Sequence, residues 1–130
     1  MRFKKKLFKS LINEEDLNMW VIDNITNLEH EVKRIFFINS KIKTVRGKHA
    51  HKNCWQTLVN ITGNLRIGVE DGVELFETSL ETYGEALTIP PMCWSTQVYS
   101  EQSCLMVLCS KLYDENDYIR DYENFKKLVN

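Results

Sequence analysis

Short apolar runs, broken by polar turns, repeat through most of this chain. Segments 33–39 (with Arg34-Ile35-Phe36-Phe37-Ile38), 55–61, 65–69 and 73–80 each have the length and aromatic or β-branched content of a strand. Segment 86–89 runs into Pro90-Pro91, and 94–99 and 104–109 supply two more. Thr62-Gly63-Asn64 and Asp71-Gly72 read as hairpin-type turns between them. Strands recurring about every eight to twelve residues predict an all-β sandwich or barrel. Segment 11–27 fits either a strand or a short helix.

The tail has another period. Tyr118, Ile119, Tyr122, Phe125 and Leu128 or Val129 recur at helical spacing. Asp114-Glu115-Asn116-Asp117 offers capping side chains ahead of them, and Lys126 and Lys127 fall where a helix dipole favours cations. These aromatics read as packing against the barrel rather than as a ligand box. No internal repeat or low-complexity linker divides residues 1–130, so one domain is expected.

Composition narrows the class. With 43% hydrophobic and 27% charged residues the chain has globular proportions, and a net charge of -1 gives no pull toward nucleic acid or an anionic membrane. The basic start (Arg2, Lys4, Lys5, Lys6 and Lys9 around Phe3, Leu7 and Phe8) reads as an edge strand or solubilising terminus before a phosphate-contacting arm. Ser10, Asn13, Glu14, Glu15 and Asp16 interrupt the apolar stretch a secretion signal needs, and no segment approaches a membrane span. Cys54, Cys93, Cys104 and Cys109 form no CxxC and read as reduced, mostly buried thiols of a cytoplasmic protein. No neighbour in sequence marks Cys54 or Cys93 as an activated nucleophile.

The chemistry gathers in Arg46-Gly47-Lys48-His49-Ala50-His51-Lys52. Two of the three histidines stand here, and strand alternation sends both to one face. Such a pair can hold a metal, move protons, or simply be structural. A metal needs further ligands. Five residues on stands Gln56, a poor one, and segment 84–95 ends without an imidazole or carboxylate. His30, between Glu29 and Glu31, reads as solvated surface. Metal is therefore the weaker use, with Cys93 or a distal carboxylate as the route back to it. Acid–base work is better furnished. One imidazole can take a proton while the other relays it. Arg46 offers a planar fork for phosphate or carboxylate, and Lys48 and Lys52 add positive potential. Trp55 and Trp94 offer flat walls for a base or sugar.

In these residues the chain resembles the WxcM-like sugar-nucleotide 3,4-ketoisomerases of the cupin superfamily. One shared motif is Arg46-Gly47-x-His49-Ala50-His51-Lys52, followed by Gln56, Gly63 and Asp71-Gly72. The other, Tyr113-Asp114-Glu115-x-Asp117-Tyr118-Ile119-Arg120-Asp121-Tyr122-x-x-Phe125, is close to the family's closing signature. The likeness covers residues 30–129 and is loose before them. It implies a cupin-type jelly-roll barrel with a short C-terminal helical segment, and a homodimer with exchanged N-terminal strands. The implied reaction moves the carbonyl of a dTDP-4-keto-6-deoxyhexose from C4 to C3 through an enediol or enediolate. It needs no metal or cofactor, and its product feeds deoxysugars of the cell surface, such as O-antigen, or of antibiotics. By the same resemblance His51 is the base and His49 its proton-shuttling partner. Arg46 binds the diphosphate or a developing oxyanion, and Gln56 bonds the sugar or orients a histidine. The general cupin pattern has glutamate where Gln56 stands and histidine where Ser95 stands, which agrees with metal ligation given up.

Three departures fall on the sugar side. Phe36 and Phe37 stand where the family has tyrosines, and lose a hydroxyl. Ser95 stands where a histidine or arginine faces the sugar, leaving room or water. No Asp-x-Arg-Gly-like segment appears among Glu15, Asp16, Leu17 and Asn18. The first expectation is thus a ketoisomerase with altered handling of the C4 hydroxyl. A keto-sugar epimerase, or a barrel that binds a nucleotide sugar without turnover, comes after it.

Overall fold

The structure, a computed structural model, describes residues 3–23 and 28–130. Two five-stranded antiparallel sheets face each other. The first runs β1 (Lys6–Leu7), β9 (Glu85–Ile89), β6 (Gln56–Thr62), β11 (Ser103–Cys109), β4 (Arg34–Ser40). The second runs β12 (Tyr118–Ile119), β5 (Thr44–His51), β10 (Trp94–Tyr99), β7 (Leu65–Glu70), β8 (Leu75–Leu80). Sequence neighbours such as β6 and β7 lie in opposite sheets, the connectivity of a cupin-type jelly roll. Segment 11–27 resolves as strand: β2 (Lys9–Asn13) pairs with β3 (Asn18–Val21), while 24–27 lies outside the described residues, as does Arg2 of the basic start. Among the described residues no helix is long and apolar enough to cross a membrane.

Burial explains the patterns. Along β7, Leu65, Ile67 and Val69 are at most 1% exposed and alternate with the more accessible Arg66, Gly68 and Glu70. β6 is buried on both faces, and its polar Gln56, Thr57 and Asn60 are buried with Leu58 and Val59. Its Leu58 points into the core, and its Val59 packs outward with Phe8, Ala86 and Leu108 under Trp20 and Ile22 of the N-terminal segment. Truncating Leu58 to alanine costs about 2–5 kcal/mol at such a site.

Three local expectations change. The turn at Gly63 is no hairpin: β6 pairs with β9 and β11, and β7 with β8 and β10, so the turn carries the chain between sheets. Gly63 has φ +76°, and a Cβ there would lie 2.8 Å from Ser103 Cα. Asp71-Gly72 does close a hairpin, but β8 starts at Leu75 because Val73 projects from the turn, 94% exposed. The tail helix also starts late. Asp114 caps a single 3-10 turn, Glu115–Asp117, by accepting from the Asn116 N–H at 3.0 Å. Tyr118 and Ile119 then pair with His51 and Ala50 on the edge of β5, and only Tyr122–Val129 forms α1. The fully buried Phe125 pins α1 against Ala50, Trp94 and Ile119.

Candidate active site

A bulge builds the site. β10 pairs Ser95 with His49 and Thr96 with Gly47, which leaves Lys48 as an extra residue on β5. Gly47 and Lys48 take φ of +83° and +57°, and a Cβ on Gly47 would lie 3.0 Å from the Ser95 carbonyl oxygen. In an unbroken strand Arg46 and His49 would point to opposite faces. The extra residue resets the alternation, and both now line one cavity of about 370 Å³ inside the barrel.

His51, 6% exposed, is held from the tail. Its Nδ1 lies 3.0 Å from Asp117 Oδ2. Asp117, at the end of the 3-10 turn, also accepts from the Asn53 N–H at 2.7 Å and the Cys54 N–H at 3.3 Å. An ionised carboxylate only accepts, so this pairing puts the proton on Nδ1 and leaves Nε2 with its lone pair. Nε2 is buried and has no protein partner among the described residues. The His49 ring stands edge-on to His51 at 5.0 Å, and the Tyr118 ring is 4.3 Å away. Burial, and then the neighbouring His51, depress His49 to about 4, so it is neutral at physiological pH.

The remaining wall is polar on one side and apolar on the other. Tyr99, pushed up to about 12 by burial, donates to Gln97 Oε1 at 2.5 Å, and Gln97 Nε2 donates to Ser95 Oγ at 3.3 Å. Gln97 therefore faces the cavity, while Ser95, 3% exposed, is spent on holding it. Gln56 lines the opposite wall, with its amide 3.5 Å from Cys109 Sγ. Phe36, Leu58 and Val107 supply the apolar surface. Arg46, Lys48 and Arg120 bring three cationic side chains to the same cavity. Arg120 is oriented by two nitrogens on the Glu115 carboxylate and lies 4.2 Å over the Tyr118 ring.

Some expected residues lie elsewhere. Trp94 is no cavity wall: it packs outward under α1, its ring centre 5.7 Å from that of Phe125. Trp55 stacks on His30 at 6.1 Å, outside the cavity. His30 is not solvated surface, since its Nδ1 meets the Glu31 carbonyl at 2.7 Å and its Nε2 meets Thr57 Oγ1 at 2.8 Å. Lys52 is exposed and does not line the cavity. Cys54, Cys93, Cys104 and Cys109 are free thiols, and a hydrogen bond to Cys54 together with burial pushes Cys109 well up. The sequence reads Asp117 as a cap and Tyr118 as packing, and gives Arg120 and Gln97 no site role; the structure instead puts Asp117 on His51 and the other three on the cavity. Tyr118 and Arg120 share the two-residue spacing of a strand face, and Gln97 stands two after Ser95, so alternation was the available signal.

Among the described residues, His51, Cys54 and Asp117 form one group with possible metal-ligand atoms within 4.8 Å of one another. The Asp117 oxygens already accept three N–H groups, so the carboxylate is committed to fixing the imidazole.

A jelly-roll barrel that holds a tautomer-fixed histidine beside a neutral one, with three cations on the same cavity, is of the kind that moves protons on an anionic ligand. The chain matches the model of the family described as FdtA: WxcM-like, C-terminal, over residues 3–130, and it belongs to that family. It is 36% identical over 124 residues to the TDP-4-oxo-6-deoxy-alpha-D-glucose-3,4-oxoisomerase of Aneurinibacillus thermoaerophilus, which covers 94% of this chain and 88% of that protein. WlaRA, a TDP-fucose-3,4-ketoisomerase from Campylobacter jejuni, superposes with a TM-score of 0.89 at 31% identity, over 100% of this chain and 97% of that one. QdtA, a sugar 3,4-ketoisomerase from Thermoanaerobacterium thermosaccharolyticum solved with TDP, gives 0.86 at 26% identity, over 98% and 93%.

Proposed function

We propose that the chain is a sugar-nucleotide 3,4-ketoisomerase that moves the carbonyl of a dTDP-4-keto-6-deoxyhexose from C4 to C3. The observation that carries this reading is the His51–Asp117 pair, which leaves a buried Nε2, without a protein partner among the described residues, next to His49. Arg46, Lys48 and Arg120 bind the diphosphate, and Gln56 and Gln97 bond the sugar hydroxyls. The His49 and Tyr118 rings crowd His51, and a side-chain rotation parts them to admit the sugar. His51 Nε2 takes the proton from C3. Its bonding pair forms C3=C4, and the carbonyl electrons move onto the C4 oxygen as an enediolate. Neutral His49 relays the O3 proton to O4, and His51 returns its proton to C4, leaving the carbonyl at C3. Hydrogen is only redistributed, so the step balances without a redox cofactor.

The protein works as a cytoplasmic homodimer on this reading. Edge strand β4 presents Ile35 and Phe37 at 54% and 62% exposure, a face suited to a second copy, and β1 pairs with β9 as a strand that can be exchanged. The product is a substrate for 3-amination toward cell-surface sugars such as O-antigen. Incubation with dTDP-4-keto-6-deoxyglucose in deuterated water tests the chemistry. The expected result is the 3-keto isomer carrying deuterium at C4. Exchange without carbonyl migration, or binding without exchange, would replace this reading with an epimerase or a binding module.

A further inference from the structure

We propose that Tyr118 is the catalytic hydrogen-bond donor to the C4 oxygen of the sugar, an inference that rests on the ketoisomerase reading above. Three six-membered aromatic rings line the cavity: Phe36, Tyr99 and Tyr118. Phe36 has no hydroxyl to give. The Tyr99 hydroxyl is already donated to Gln97. Among the described residues no acceptor takes the Tyr118 O–H, and the Arg34 charge pulls on the phenol. Elimination therefore leaves one phenol in the cavity with an O–H to offer.

Its surroundings suit the task. The Tyr118 ring lies 4.3 Å from His51 and 5.2 Å from His49, so it neighbours both imidazoles and lines the cavity beside His49. The charge of Arg34, which pulls on the phenol, and Arg120 at 4.2 Å over its ring favour negative charge building nearby. Burial pushes the phenol up against the opposing pull of Arg34, which keeps it protonated near neutral pH. When His51 removes the C3 proton, negative charge collects on O4. A fixed donor that strengthens its bond at that moment lowers the barrier without being consumed. The O3 proton still travels to O4 through His49, and Tyr118 ends the cycle with its own proton.

Tyr118→Phe tests this, since it removes one oxygen and keeps the ring against His49, His51 and Arg120. Wild-type conversion of dTDP-4-keto-6-deoxyglucose to the 3-keto isomer first secures the reading beneath the proposal. Against that standard the variant should lose about 10²–10³-fold in kcat. Its KM, its dTDP affinity and its thermal midpoint should stay close to wild type. A variant that turns over at the wild-type rate, or whose loss lies wholly in KM, overturns the assignment.

Discussion

Replacing Asp117 with asparagine keeps the side chain's shape and removes half of its accepting capacity. Asp117 accepts three N–H groups, at 2.7 Å from Asn53, 3.0 Å from His51 Nδ1 and 3.3 Å from Cys54. An amide has one oxygen. If that oxygen stays on Asn53, the new NH₂ faces His51, whose Nδ1 must then accept. The ring proton moves to Nε2 and the base is lost. If the amide turns the other way, its NH₂ opposes the Asn53 N–H across 2.7 Å, at a cost of about 1–3 kcal/mol. The first arrangement sets the NH₂ against the Cys54 N–H, but only across 3.3 Å, and keeps the shorter Asn53 bond, which favours it. Asp117→Asn should therefore lower kcat by about 10²–10⁴-fold, the range lost when a buried histidine is held in the wrong tautomer or general base catalysis is removed. Folding free energy should fall by only about 1–3 kcal/mol. Carbonyl migration followed by NMR gives the rate, urea unfolding gives the stability, and imidazole ¹⁵N shifts read the tautomer. Turnover near wild type, with His51 still protonated on Nδ1, would refute the reasoning.

His49 links the site to stability. Its folded-state value of about 4 lies below the ordinary 6.5, so the fold binds fewer protons there than the unfolded chain. That contribution, on the order of 3 kcal/mol, is fully present above pH 6.5 and is lost as pH falls toward 4. Urea midpoints down the pH scale should show the decline, and His49→Gln should flatten it; an equally steep decline in the variant would contradict the cause. Gly47→Ala forces a side chain into φ +83° with its Cβ 3.0 Å from a carbonyl oxygen, so it should cost about 1–3 kcal/mol and reduce turnover by disturbing the bulge; unchanged unfolding and rate would argue against it. Arg46→Gln and Arg120→Gln should each raise KM and flatten its dependence on salt, and an unchanged salt profile would remove the diphosphate role.

Strands with one buried face could be read directly, since Leu65, Ile67 and Val69 announce β7 by alternation. The histidine pair was legible for the same reason. What escaped depends on contacts distant in sequence. Tyr118, Ile119, Tyr122 and Phe125 satisfy helical spacing, yet the open edge of β5 claims the first two as a strand. An acidic residue before a helix looks like a cap, so Asp117 hid its bond to a histidine 66 positions earlier. Alternation also separates Trp94 from Ser95: Ser95, Gln97 and Tyr99 turn into the barrel, and Trp94 turns out to α1. The bulge at Gly47-Lys48 carried only a weak sequence signal, a single glycine within the strand, although it decides that Arg46 and His49 share a cavity.

Catalysis turns on His51 as the base, and hydrogen exchange at C3 reports on that step alone. With dTDP-4-keto-6-deoxyglucose in deuterated water, the wild-type protein should exchange the C3 hydrogen and move the carbonyl. His51→Asn should bind dTDP as tightly while both exchange and migration stop. Exchange at C3 continuing at the wild-type rate in His51→Asn would contradict the account.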